Sequence, residues 1–301
     1  PQARSTAIGV IEGGSVSIYL PNGSTMSLGK VSNASGIQNG QPVIVSAARD
    51  SFTVSRLPDK RAPGSFDLNK LKLGDLTVSS SVRIYEQVQG GNVTAVSRGD
   101  LAMETIPVDQ FASYHVNSAN IVDYIILTNV TGSAYIYGMM VGGYVSEPVT
   151  GDSWISGDKG DKDDEPKTEE RYTWRLRRSG EDIEFSSATS YRGSSGDMVG
   201  VVVGKDRKGS NTIKEVVKLT AVKAEGSDFF ESQGETYVTV KGQTYRISSG
   251  VECYYNRTGN KVAKENWLTD ANRLDAIQTY SDSFTLYVDP IGQQVRIIVA
   301  N

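Results

Sequence analysis

Apolar residues along this chain come in short β-branched runs, such as Val43-Ile44-Val45 and Val201-Val202-Val203, separated by Gly, Ser, Thr and Asn. Runs of this length bounded by turn formers predict strands. Two segments read as hairpins with Gly at the turn. In the first, Ile125-Ile126-Leu127-Thr128-Asn129 turns at Val130-Thr131-Gly132 and returns as Ala134-Tyr135-Ile136-Tyr137-Gly138. In the second, Thr285-Leu286-Tyr287-Val288-Asp289 turns at Pro290-Ile291-Gly292 and returns as Val295-Arg296-Ile297-Ile298-Val299. Helical signals are few. Thr269 is placed to cap a segment running through Leu274, Ile277 and Gln278, and Pro107 opens a similar turn towards Phe111.

The pattern also repeats. Val78-Ser79-Ser80-Ser81-Val82-Arg83-Ile84-Tyr85, followed by a turn at Gly90-Gly91-Asn92-Val93, is echoed by Ile247-Ser248-Ser249-Gly250-Val251-Glu252-Cys253-Tyr254 and Gly259-Asn260-Lys261-Val262. Val82 to Val251 and Val93 to Val262 are both steps of 169 residues. The two hairpins are spaced by 160, from Asn129 to Asp289. A weaker echo sets Gly36 to Val45 beside Gly196 to Val203. Repetition of this kind predicts architecture before any single motif does. The expected fold is all-β: tandem small barrel-like or sandwich-like modules in two duplicated halves, with a short helix before the last hairpin of each half. The expected units are 1–65, 66–148, an acidic linker or loop at 149–170, then 171–228 and 229–301.

Composition adds limits. The 301 residues hold 31 Gly and 15 Tyr, the latter suited to thin sheets that bury a ring and wet a hydroxyl. Net charge is −4, and Ser156 to Glu170 alone carries seven acids and three bases, so the remainder is near neutral. No basic face for nucleic acid is expected, nor any membrane span. Pro1-Gln2-Ala3-Arg4 is neither an initiator methionine nor a signal peptide, and the chain reads as part of something longer.

Candidate chemistry is sparse. His115 is the single histidine and reads as structural rather than as a general base. Cys253 is the single cysteine and reads as a buried thiol rather than a nucleophile. Gly204-Lys205-Asp206 fails the phosphate-loop pattern in spacing and in the residue after Lys. Asp158, Asp161, Asp163 and Asp164 lack the closing Glu of a calcium loop and read as a solvated linker. Tyr254, Tyr255, Trp154, Trp174 and Trp267 are the candidates for stacking on sugar rings, with core packing as the competing role. Asn-x-Ser/Thr triplets begin at Asn22, Asn33, Asn92, Asn129 and Asn256, and turn chemistry accounts for them. No catalytic, cofactor or metal residues are assigned, and no enzyme is expected; a carboxylate glycosidase is the remaining enzymatic alternative.

The closing run Tyr280-Ser281-Asp282-Ser283-Phe284-Thr285-Leu286-Tyr287-Val288-Asp289, with Gly292-Gln293-Gln294-Val295-Arg296-Ile297-Ile298-Val299, resembles the repeated β-rich C-terminal regions of clostridial-type (Firmicutes) surface proteins that carry S-layer homology domains. Val251 to Gly259 and Asp123 to Gly132 are similar to the same regions. The resemblance implies an exported segment displayed at the cell wall, anchored by a wall-gripping domain that this chain does not contain. It transfers no active-site residues. The expected function is a structural spacer or assembly segment whose partners are other copies of itself or neighbouring surface-layer proteins; the alternative is an adhesin module binding cell-wall or host glycans or host proteins.

Overall fold

The computed structural model describes residues 5–20, 24–31, 36–48, 51–57, 61–88, 90–149, 169–206, 210–257, 259–260 and 263–301. The protein is all-β, as the patterning predicts. The first sheet contains β1 (Ser5–Glu12), β2 (Ser15–Tyr19), β3 (Thr25–Lys30), β4 (Pro42–Ala48) and β5 (Ser51–Arg56), ordered β3-β2-β1-β4-β5. The second contains β6 (Phe66–Asp67), β7 (Lys72–Leu73), β8 (Leu76–Glu86), β9 (Thr94–Val96), β10 (Thr105–Ile106), β11 (Phe111–Val116) and β12 (Ile121–Leu127). A closed barrel follows, built from β13 (Ile136–Val149), β14 (Glu169–Arg178), β15 (Glu181–Ser187), β16 (Met198–Lys205) and β17 (Asn211–Lys218). The last sheet holds β18 (Thr220–Glu225), β19 (Phe229–Ser232), β20 (Glu235–Val240), β21 (Gln243–Tyr255), β22 (Trp267–Leu268), β23 (Ser283–Val288) and β24 (Gln294–Ala300), with the short helix α1 (Arg273–Gln278) before β23. No helix among the described residues is long and apolar enough to cross a membrane.

The second and last sheets share one pairing scheme at their cores, while β10–β6 in the second and β18–β23 in the last have no counterpart among the described residues. β12 runs parallel to β8, pairing Val122 with Val78 and Tyr124 with Arg83, so four residues of β8 bulge opposite one of β12. β24 runs parallel to β21 in the same way, pairing Val295 with Ile247 and Ile297 with Glu252. Positions on β8 and β21 differ by the 169 residues seen in the sequence, whereas Ile125 matches Ile298, a step of 173. The bulged serines form the same local bond, from the Ser81 amide to Ser79 Oγ and from the Gly250 amide to Ser248 Oγ. β11 and β23 flank this core equivalently, as do β9 and β22.

The first sheet and the barrel share a second scheme. In each, a first strand pairs with the second and fourth, the second with the third, and the fourth with the fifth. Two glycines mark the correspondence. A Cβ on Gly9 would lie 2.6 Å from the Ser17 carbonyl oxygen, and one on Gly138 would lie 2.5 Å from that of Arg177. The Gly40 amide donates to Ile11 O at 2.9 Å, and the Gly196 amide donates to Met140 O at 2.7 Å, both glycines lying at positive φ. Gly40, not Gly36, is thus the partner of Gly196. The barrel closes where β15 meets β17 in parallel at Ser186 and Thr212. Among the described residues, the first sheet has β3 and β5 as its two edges.

Sheet boundaries fall elsewhere than the sequence places them. β13, expected to end the 66–148 unit, opens the barrel and pairs with β14 and β16. The 149–170 stretch therefore joins two neighbouring strands of the barrel, and residues 150–168 lie outside the described residues. β18, inside the expected 171–228 unit, pairs with β23 of the last sheet. The expected hairpin from 125–129 to 134–138 does not form: β12 pairs with β8 and β11, and Ile136 belongs to the barrel. A polar insertion is tolerated in a hairpin connection as readily as between domains, so composition alone misplaces the boundary.

Each sheet has its own core, and further clusters join them. Ile8, Val10, Tyr19 and Ile44 of the first sheet pack with Tyr85, Tyr124 and Ile126 of the second. Tyr137, Met139, Met198 and Val202 of the barrel pack with Tyr254, Trp267 and Ile297 of the last sheet. The same surface of the two schemes is therefore used twice. The second sheet also locks onto the barrel, where the Asn92 amide donates to Val203 O at 2.8 Å and a Cβ on Gly204 would come within 1.9 Å of the Gly90 carbonyl oxygen. That close approach accounts for the glycine in Gly204-Lys205-Asp206.

Candidate functional site

Where the first sheet meets the second, a cleft of about 530 Å³ opens over the bulged part of β8. Its floor comes from Ala95 over the buried Tyr85, and its polar rim from Ser81, Arg83, Arg98 and Asp123. Strand alternation sends Arg83 and Tyr85 to one side of β8 and Ile84 to the other, where Ile84 joins the core of the second sheet. The Arg83 guanidinium lies 5.9 Å from the centroid of the Tyr124 ring, a cation–π arrangement. Arg83 makes no ion pair among the described residues. The Tyr124 hydroxyl donates to Thr6 O, tying the cleft wall to the first sheet. Burial raises the phenols of Tyr85 and Tyr124 above their ordinary value, with Arg83 pulling the other way. Both remain neutral donors at physiological pH.

His115 belongs to this wall. Its Nδ1 lies 2.6 Å from Asp123 Oδ1, and its ring is tilted against Tyr124 with centroids 6.0 Å apart. The histidine is half-buried and orients an aspartate.

The equivalent place in the second half is filled. Pairing sets Glu252 at the position of Arg83, Tyr254 at that of Tyr85 and Trp267 at that of Ala95. The indole of Trp267 packs edge-on against Tyr254 at 5.3 Å. The turn between β14 and β15 enters from the barrel. Arg178 Nη2 donates to Glu252 Oε1 at 3.0 Å, and the Ser179 amide and hydroxyl both donate to Oε2 at 2.8 Å. Glu252 is buried and fully engaged from within the chain.

A second cleft of about 590 Å³ lies between the second and last sheets. Arg246 bridges it, donating to Asp100 Oδ1 at 2.8 Å, to the Gly99 carbonyl at 2.9 Å and to Glu235 through Nε and Nη2 at 2.5 Å. Burial would raise the Asp100 carboxyl, but bonds from Ser97 and Arg246 outweigh it and hold the group below the ordinary carboxylate range. The general acid of a glycosidase needs the opposite shift. Arg246 thus ties two sheets together. Close by, the buried Arg296 donates from Nε to Asp289 Oδ2 at 2.6 Å and from Nη2 to the Thr131 carbonyl at 2.7 Å, and lies over the Tyr137 ring at 4.7 Å. This group joins the second sheet, the barrel and the last sheet.

Trp174 and Trp267 are buried, Trp174 donating from Nε1 to Thr189 O at 2.9 Å, so neither is a sugar platform. Tyr254 is core and Tyr255 half-buried, as opposite faces of a strand require. Tyr255 stacks on the exposed Tyr280 with ring centroids 5.1 Å apart, and Arg257 lies over both rings. Cys253 is buried, and burial pushes its thiol up to about 12. Trp154 and the Asp158 to Asp164 run lie outside the described residues; among those described, no group of three or more His, Cys, Asp and Glu is placed to hold a metal ion. Sequence reading missed Arg83, Arg98 and Ala95. The signal available was the exchange of Arg83 for Glu252 inside an otherwise matched repeat.

No protein-family model, curated protein or solved structure matches this chain.

Proposed function

We propose that this chain is a non-catalytic structural segment, a stiff spacer or assembly module, of an exported bacterial cell-surface protein. The observation that carries the reading is the interlocking of units by buried contacts: the Arg296 group holds three of them at one point. A spacer works by not bending, and buried ion pairs with satisfied partners resist separation because removing one partner strands a charge. The resemblance of Tyr280 to Val299 to the repeats of S-layer-homology-domain proteins supports the surface location. The edges β3 and β5 of the first sheet, unpaired on their outer sides among the described residues, supply a route to assembly by strand addition between copies. Light scattering over a concentration series, with calcium and with chelator, tests this together with small-angle scattering. Growth into ordered assemblies, from a particle of fixed shape, is the expected result. A monomer at every concentration whose units move independently contradicts it.

A second reading, a ligand-binding module, is favoured by the cleft that the first half leaves open where the second half fills its own.

A further inference from the structure

We propose that the cleft between the first and second sheets binds a small acidic sugar, with Arg83 receiving its carboxylate. The inference is independent of the spacer role. The second half shows what this position is built to hold. There a carboxylate, Glu252, projects from the bulged strand and is met by a guanidinium, Arg178, brought by a neighbouring turn. In the first half the sign is reversed: the guanidinium of Arg83 projects from the strand, and no described carboxylate comes to meet it. A ligand carboxylate restores the pair, with charge-assisted bonds to a planar donor.

Space and polarity narrow the class. Ala95 stands where Trp267 stands, so a small side chain lines the cleft where the second half has an indole. The resulting cleft, about 530 Å³, is within the range of small-ligand sites. Arg98 adds a second cation on the rim, while Asp123, held by His115, offers an acceptor and Ser81 a hydroxyl. Cations beside an acceptor and a hydroxyl fit a molecule with both a carboxylate and alcohols. The apolar face of a sugar ring fits against the half-buried Ala95.

The test is titration of the intact chain with D-glucuronic acid, read by amide shifts and by calorimetry, with D-glucose and inorganic phosphate as comparisons. Saturable glucuronate binding is expected, with shifts at Ala95 to Arg98. Arg83→Gln is expected to weaken it at least about tenfold, the loss of a charge-assisted bond. Ala95→Trp, a side chain the matched position already accommodates, is expected to abolish it while leaving the fold intact. No saturable binding of glucuronate, equal binding of glucose or of phosphate, or binding unchanged in both variants would each overturn the proposal.

Discussion

The two halves of this protein share a core of strand pairings and put different chemistry on them. At the turn between β23 and β24, Asp289 accepts from the Ile291 and Gly292 amides and pairs with the buried Arg296. At the matching turn between β11 and β12, Asn117 accepts from the Ala119 and Ile121 amides, and Asp123 stands in the place of Arg296. The turn needs only an acceptor, which either residue supplies. The charge exists for the contact beyond it, the Thr131 carbonyl against which Gly292 packs so closely that a Cβ would lie 2.0 Å away. Backbone scheme and docking chemistry are separable, and here the first is kept while the second varies.

The largest effect should follow from breaking that difference. Asp289→Ala leaves Arg296 buried without its carboxylate and is expected to cost about 3–5 kcal/mol in urea unfolding. Asn117→Ala removes a neutral acceptor from a more exposed turn and should cost about 1 kcal/mol. Equal losses would mean that the ion pair adds nothing to the turn.

Trp267 and Ala95 sharpen the comparison at the two clefts. Trp267→Ala should cost about 3 kcal/mol, since it empties a packed seam between the barrel and the last sheet. Ala95→Trp should change stability by less than about 1 kcal/mol, because the cleft has room for the ring. A large loss from Ala95→Trp would show that the two sites are not equivalent.

A smaller effect than at Asp289 or Trp267 is expected at Arg246. Asp100 and Glu235 are both lowered in the folded state, Asp100 against its own burial and Glu235 chiefly by its bond from Arg246. Their contribution is complete above the ordinary values of 3.8 and 4.5 and is lost as pH falls through the lowered ones. Arg246→Met should therefore cost about 1 kcal/mol at pH 7, allowing for solvent screening, and progressively less in acid. A penalty independent of pH would mean that Arg246 acts by packing alone.

Much of the fold was legible in the sequence. β-branched runs gave the class, and the 169-residue step located two strands that pair identically. The second step failed because Ile125-Ile126-Leu127 and Thr285-Leu286-Tyr287 look alike as strands while holding different places: the former matches Ile298-Val299-Ala300. Alternation records that a strand is half-buried and not which neighbour it has. The first sheet and barrel were harder, since Gly40 and Gly196 share a conformation and a bond in the midst of little other similarity. Cys253 lies buried, as its place on an alternating strand implies, and His115 sits against Asp123. The cleft was not visible, because the exchange of Trp267 for Ala95 and of Glu252 for Arg83 is meaningful only once the repeats are superposed by strand pairing.

The central claim, that two copies of one design are locked into a single stiff body, is tested most directly by scanning calorimetry of the whole chain. The account predicts one transition, with calorimetric and van't Hoff enthalpies in agreement. Two resolved transitions, one for each half, would contradict it.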